Sequence, residues 1–204
     1  MTASPAARCA PQGFFPDRAE RLPLPPRDAM DEAQRAAADA LIAGPRKGVY
    51  GPFVPLLRNP DLLSRVGQLG EQLRFHGRLA ARLRELATCV AAREASNQFE
   101  WLMHAPLAEQ AGVARSTLDA IAEGRQPPAL PADEALLLDF CQQLLRRHGV
   151  ADATYGAAVQ AWGEAAVVEL ATLVGYFTMV CWVLNVARTP SLPAAGSALA
   201  AFPA

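Results

Sequence analysis

No Cys-x-x-Cys pair occurs in this chain. Its four cysteines, Cys9, Cys89, Cys141 and Cys181, stand far apart in 204 residues, so neither a disulfide framework nor a zinc-ligand pattern can be read from them. Reduced thiols in a cytoplasmic protein are the plain expectation. Histidine is scarce too. The three present, His76, His104 and His148, show no HxxxH or HxH spacing, which leaves metal binding by histidine without support. An excess of charge is also missing. A formal net charge of −1 gives no electrostatic footprint for nucleic acid, and the arginines interleave with acids as on a solvated helical face. The first residues, Met1 to Phe15, hold no continuous apolar run and so no secretory signal. Leu170 to Leu184 is apolar and uncharged but shorter than the roughly 20 residues a bilayer span needs, so it reads as a buried helix rather than a membrane helix. No alternation of period two is long enough for a strand, and no short-period repeat is visible.

Apolar side chain is abundant, at 51% hydrophobic against 19% charged. That supplies a core for one compact domain and leaves a surplus for a subunit interface. Residues 1–28, rich in proline and alanine with the run Pro23-Leu24-Pro25-Pro26, read as an extended arm. Residues 189–204, with Pro190, Pro193 and Pro203, read as a tail that, like the arm, can wrap a neighbouring subunit. Between them, 29–188 is helical nearly throughout, and the fold class is all-α.

The helix boundaries follow from capping signals. Asp28 or Asp31 opens a helix to Ile42, stopped by Gly44-Pro45. The glycine- and proline-containing stretch Gly44 to Pro60 reads as a loop. Asn59-Pro60-Asp61 starts a helix to about Phe75, proline being favourable in the first turn. A helix from about Leu79 to Ala95 carries the stripe Leu79, Leu83, Leu86, Val90 at spacings of three and four. Asn97-x-x-Glu100 fits a capping box for the next helix, which ends near Gly112. Ser116-x-x-Asp119 opens a short helix closed at Gly124. Asp133–His148, Asp152–Trp162 and Ala165–Ala187 complete the set. His76 and His148, beside glycines at helix ends, read as C-terminal caps.

Chemistry gathers in Glu85 to His104. His104 follows Glu100 by four residues, so the two share a helix face, and imidazole both gives and takes a proton near neutral pH. Two readings are open for each acid. Glu100 is either a capping-box glutamate or His104's partner. Glu85 lies either at the solvent edge beside Arg82 and Arg84, or opposite His104 if the break at Ser96-Asn97 folds the two helices together. Trp101 would wall such a pocket. Cys89, one turn past Glu85, would line it, or else it is a small buried hydrophobe. An anionic ligand would need a cation, for which Arg46, Lys47, Arg58 and Arg93 are candidates.

The run Arg84 to Leu107, RELATCVAAREASNQFEWLMHAPL, resembles the carboxymuconolactone decarboxylase family, which includes alkylhydroperoxidase D. Gly51-Pro52-Phe53, Asn59-Pro60-Asp61 and the segment Val168-Glu169-Leu170 to Gly175-Tyr176-Phe177-Thr178 extend the resemblance over about residues 45 to 188. In the peroxidase branch the motif is Glu, eleven residues, Cys-x-x-Cys, three residues and His. Here Glu85 and His104 match its ends, while Asn97 and Glu100 stand at the cysteine positions. The form Glu100-Trp101-Leu102-Met103-His104 is similar to the cysteine-free branch that holds the decarboxylase-like members.

The resemblance implies an AhpD-like helical domain that assembles as a homo-oligomer of three or six subunits. It implies a cofactor-independent enzyme acting on a small anionic molecule, a carboxylated lactone. His104, Glu100 and Glu85 would be catalytic, with Trp101, Cys89, Arg93 and Arg46 as substrate contacts and no metal. Neither a nucleic acid nor a membrane is an expected partner. Thiol peroxidase chemistry needs an attacking thiolate and a resolving thiol, and Asn97 and Glu100 can be neither.

Overall fold

A computed structural model describes residues 19–191 and Leu199. Among these there is no strand, and the nine α-helices are α1 (Glu32–Ala43), α2 (Phe53–Leu56), α3 (Pro60–Phe75), α4 (Ala81–Glu94), α5 (Gln98–Gln110), α6 (Arg115–Ala122), α7 (Ala132–Arg147), α8 (Asp152–Trp162) and α9 (Glu164–Ala187). The all-α expectation holds. Most helix starts follow the sequence signals. Asp31 caps α1 in a full capping box with Gln34, and the Asn59 side chain accepts from the Leu62 amide with Pro60 at the first helical position. His76 and His148 occupy the C-cap positions of α3 and α7.

Three local expectations are corrected. Inside the stretch read as a loop, Phe53–Leu56 forms a short, fully buried helix. Helix α6 starts at Arg115 with Ala114 at the N-cap, so Ser116 lies inside the first turn and caps nothing, and Asp119 pairs with Arg115 at 3.0 Å. The Asn97 side chain does accept from the Glu100 amide at 2.9 Å, but the Asn97 amide is already donated to the Ala92 carbonyl at 2.9 Å. The second half of the capping box therefore has no donor to receive it, and the Glu100 carboxylate is released for another partner.

Helix α4 is the hub. Every residue from Leu86 to Arg93 is buried, and the helix packs against α5, α7 and α9. The α4–α5 corner is sharp, with Ser96 in the left-handed region at φ 49°. It is bolted to α9: the Asn97 amide group donates to Asn185 Oδ1 at 2.8 Å, and Asn185 donates back to the Ala95 carbonyl at 2.9 Å. Farther along, the Glu169 carboxylate of α9 accepts from the Arg78 amide at 2.8 Å and from Leu79 at 3.1 Å, which fixes the entry to α4.

Residues 1–18, with Cys9, lie outside the described residues, as do 192–198 and 200–204. The part of the arm that is described runs back along its own domain: the Arg21 amide donates to the Ala187 carbonyl at 2.8 Å. In the tail, the Leu199 amide donates to Gln98 Oε1 at 3.0 Å.

Candidate active site

The α4–α5 hairpin brings Glu85 and His104 face to face. Glu85 Oε2 lies 2.6 Å from His104 Nδ1, and Glu100 Oε2 lies 3.4 Å from Nε2 on the other side of the ring. All three residues are buried. The ring is further held edge-to-face against Phe177, centroids 4.9 Å apart. Of the two readings left open for Glu85 and for Glu100, the structure takes the one that joins them to His104.

Charge follows from this enclosure. Burial alone would lower the His104 pKa, but the Glu100 and Glu85 carboxylates outweigh it and hold the imidazole above its ordinary range. Burial alone would raise Glu85; its hydrogen bond and charge contact with His104, helped by Arg74 and Arg84, outweigh that and hold the carboxyl below its ordinary range. Both shifts favour the imidazolium–carboxylate form of the pair, in which Nδ1–H donates to Glu85.

A cavity of about 90 Å³ opens beside this couple. His104, Glu100, Arg46, Arg74 and Tyr176 line it, with Phe99, Met103 and Phe177 among its apolar walls. Glu85 does not line it and sits behind the imidazole. The loop before α2 closes one side. Gly51 has φ 58°, and a Cβ there would lie 2.6 Å from the Phe99 ring, so only glycine lets the loop approach. On the opposite wall Tyr176 rests on Gly70, where a Cβ would meet its hydroxyl at 2.2 Å. Burial pushes the Tyr176 phenol up to about 12, so it remains a neutral hydroxyl.

The candidate cations separate clearly. Arg46 lines the cavity, but its charge is matched by Glu71 and it lies over Phe53, 4.4 Å from the ring centroid. Lys47 reaches the Ala43 carbonyl and Arg58 the Val54 carbonyl, and neither lines the cavity. Arg93 lines a different cleft, of about 110 Å³, beside Gly124 and Arg146. Arg74, passed over in the sequence, lines the cavity, feels the Glu85 charge without forming a close ion pair among the described residues, and keeps a buried Nε without a hydrogen-bond acceptor.

Two further expected contacts are not on the cavity. Trp101 is buried in the core; one residue past Glu100, it points about 100° away around the helix. Cys89 is fully buried, and burial, then the nearby Glu85 charge, push its thiol well above the usual range. Cys181 is likewise raised by burial and by Glu100.

An all-helical domain with a buried Glu–His–Glu array on an α-hairpin is the class defined here. Residues 60–138 match the carboxymuconolactone decarboxylase family, and the matched stretch includes Glu85, Glu100 and His104. The fold is AhpD-like. An alkylhydroperoxidase AhpD core protein from Ralstonia eutropha JMP134, described as peroxidase-related, superposes with a TM-score of 0.69 at 16% identity, covering 86% of this chain and 93% of its own. A peroxidase-related protein from Silicibacter sp. TM1040 gives 0.68 at 14%, covering 86% and 93%. The debrominase Bmp8, whose complex is with 2,3,4-tribromopyrrole, gives 0.64 at 14%, covering 85% and 92%. At these identities the likeness is one of fold. A comparison with curated proteins found no match.

Proposed function

We propose that this protein is a cofactor-independent, decarboxylase-like enzyme of the cysteine-free branch, moving a proton onto carbon in a small carboxylated lactone or related acid. The observation that carries this reading is the imidazole held between two carboxylates at the wall of a cavity that also presents Arg74. Loss of carbon dioxide breaks the carbon–carbon bond to the carboxylate and leaves its electron pair spread into the unsaturated lactone. His104 Nε2–H is placed to protonate the resulting carbanion. Glu85 fixes the tautomer and stabilises the imidazolium. Glu100, at the cavity wall, is placed to take up or return the proton. Arg74 supplies the charge that meets an anionic ligand, since Arg46 is already neutralised by Glu71.

The cavity, of about 90 Å³, is small for a ring-sized ligand. Met103, unbranched and adaptable, is suited to yield. The redox alternative is disfavoured by the thiols themselves. Cys89, Cys141 and Cys181 are buried, none lines the cavity, and burial raises all three pKa values, the opposite of a reactive cysteine.

The test is ultraviolet-monitored decay of 4-carboxymuconolactone, with carbon dioxide release, for wild type and His104→Ala. Decay with wild type alone supports the reading. Equal decay with both removes His104 from the mechanism. No decay with either rejects this lactone as substrate and directs the search to other lactones and enolisable acids.

A further inference from the structure

Arg46 belongs to two cavities. One is the cavity beside His104, and the other is a groove of about 170 Å³ between α1 and α3. No other residue lines both, so the Arg46 side chain is the divider between them. The groove takes its apolar lining from Ala37, Ala40, Leu41 and Leu63, with the exposed Ser64 and Gln68 at its rim.

Helix α3 is notched where the divider stands. Gly67 and Gly70 lie three residues apart, on one helix face. Arg46 Nη2 is 3.3 Å from the Gly67 carbonyl oxygen and would be 3.3 Å from a Cβ at Gly70. A Cβ at Gly67 would touch only the Phe53 ring, at 3.7 Å. The guanidinium therefore occupies space that side chains on α3 leave open. Its strongest anchor is Glu71, at 2.5 Å. The Arg46 side chain is only 6% exposed, but that of Glu71 is 38% exposed and stands at the groove. The guanidinium can follow this carboxylate outward without losing its partner. The Gly67 contact is longer than an ordinary N–H···O bond and holds it weakly.

We propose that the α1–α3 groove is a second subsite of the active site. It takes the apolar end of an elongated carboxylic acid whose acidic head lies at Arg74 and His104, and Arg46 swings out with Glu71 to join the two spaces. The placement of the head rests on the function proposed above; the groove adds the substrate class, an acid bearing an apolar substituent several carbons long. Volume and charge both support this. The cavity beside His104 is small for a ring-sized ligand, and the groove has about twice its volume. Arg46 stays paired with Glu71 as it moves, so the passage presents no unmatched charge to an apolar chain, while Arg74 remains to meet the carboxylate.

The test is binding, read by isothermal titration calorimetry of the full-length protein with butanoate, hexanoate and octanoate. Each methylene added along this series is expected to tighten binding about fourfold, the worth of a fully buried CH₂. Ala40→Trp fills the groove from an exposed position. It is expected to bind octanoate and butanoate alike, with an unchanged circular dichroism spectrum and melting temperature. Gly67→Val closes the notch instead of the groove and is expected to erase the same gain. Arg74→Gln is expected to weaken all three acids by a similar factor. Equal binding of the three acids by wild type overturns the proposal, as does a chain-length gain that survives in folded Ala40→Trp. Unchanged binding by Arg74→Gln overturns it too, because the acid head then lies outside the cavity. The lactone assay fails separately: a chain-length gain without lactone decay keeps the subsite and rejects that substrate, and decay without the gain rejects the subsite alone.

Discussion

Glu85 and His104, nineteen residues apart, meet across the α4–α5 hairpin at 2.6 Å, and the meeting depends on a third residue in contact with neither. Asn97 turns the chain between them, caps α5 and ties the corner to Asn185 of α9. The geometry of the Glu85–His104 pair therefore rests on a corner residue outside the pair.

Asn97→Ala removes a helix cap worth about 1 kcal/mol and leaves the Asn185 side chain short of a buried partner, at a further ~1–3 kcal/mol. Urea denaturation is expected to show a loss of about 2–4 kcal/mol. A change below 0.5 kcal/mol would mean the corner is held by other contacts.

The Glu85–His104 couple makes a signed prediction about pH. The folded His104 pKa is raised above 6.5, so its stabilisation is complete below 6.5 and fades as pH rises through the elevated value. The folded Glu85 pKa is lowered below 4.5, so its share is complete above 4.5 and is lost as pH falls through the depressed value. Glu85→Gln is expected to drop the His104 pKa, read by NMR titration of the ring. An unchanged titration would mean that Glu100 alone holds the proton.

Arg74→Gln is expected to raise KM for an anionic substrate about tenfold with kcat within threefold, the signature of lost binding shared by ground and transition states. A fall in kcat at constant KM would place Arg74 in the chemical step instead.

Gly70→Ala sets a methyl group where the Tyr176 hydroxyl now lies. The phenol must move, reshaping the wall it shares with Arg46. Overpacking of this kind costs about 1–3 kcal/mol, and turnover is expected to fall at least tenfold. Normal kinetics would show that the wall tolerates the shift.

Cys89, Cys141 and Cys181 are expected to resist iodoacetamide in the native protein at pH 8 and to react fully in urea, followed by mass spectrometry. Rapid native labelling of Cys89 would reopen the thiol chemistry rejected above.

The sequence makes the hairpin half of the site legible. Asn97 announces the corner, the stripe from Leu79 to Val90 fixes which face of α4 is inward, and the four-residue step from Glu100 to His104 fixes their common face. The other half comes from α3 and α9, about 10 and 70 residues away from the motif's ends. Arg74 looks like any arginine in the last turn of a helix, and only tertiary packing shows that it lines the cavity without a close ion pair. Tyr176 and Phe177 lie in a segment that resembles the family, yet apolar continuity along α9 hides which residues reach the cavity. The misplaced contacts have two causes. Helical rotation turns Trp101 away from Glu100, while Cys89 and Arg93 follow Glu85 on α4, and Glu85 itself stands off the cavity. The same continuity made α9 look wholly interior, whereas the structure exposes one side of it.

Glu85 sits behind the imidazole and away from the cavity, so the array has a single front. In the proposed reaction a proton given up from Nε2 would be replaced from that front, by the same opening through which substrate would arrive. Reloading would then wait until product had gone, or be carried out by Glu100 while product was still in place. Under that proposal the order of events in a turnover, release before recharging or the reverse, would be decided by one carboxylate at the cavity wall.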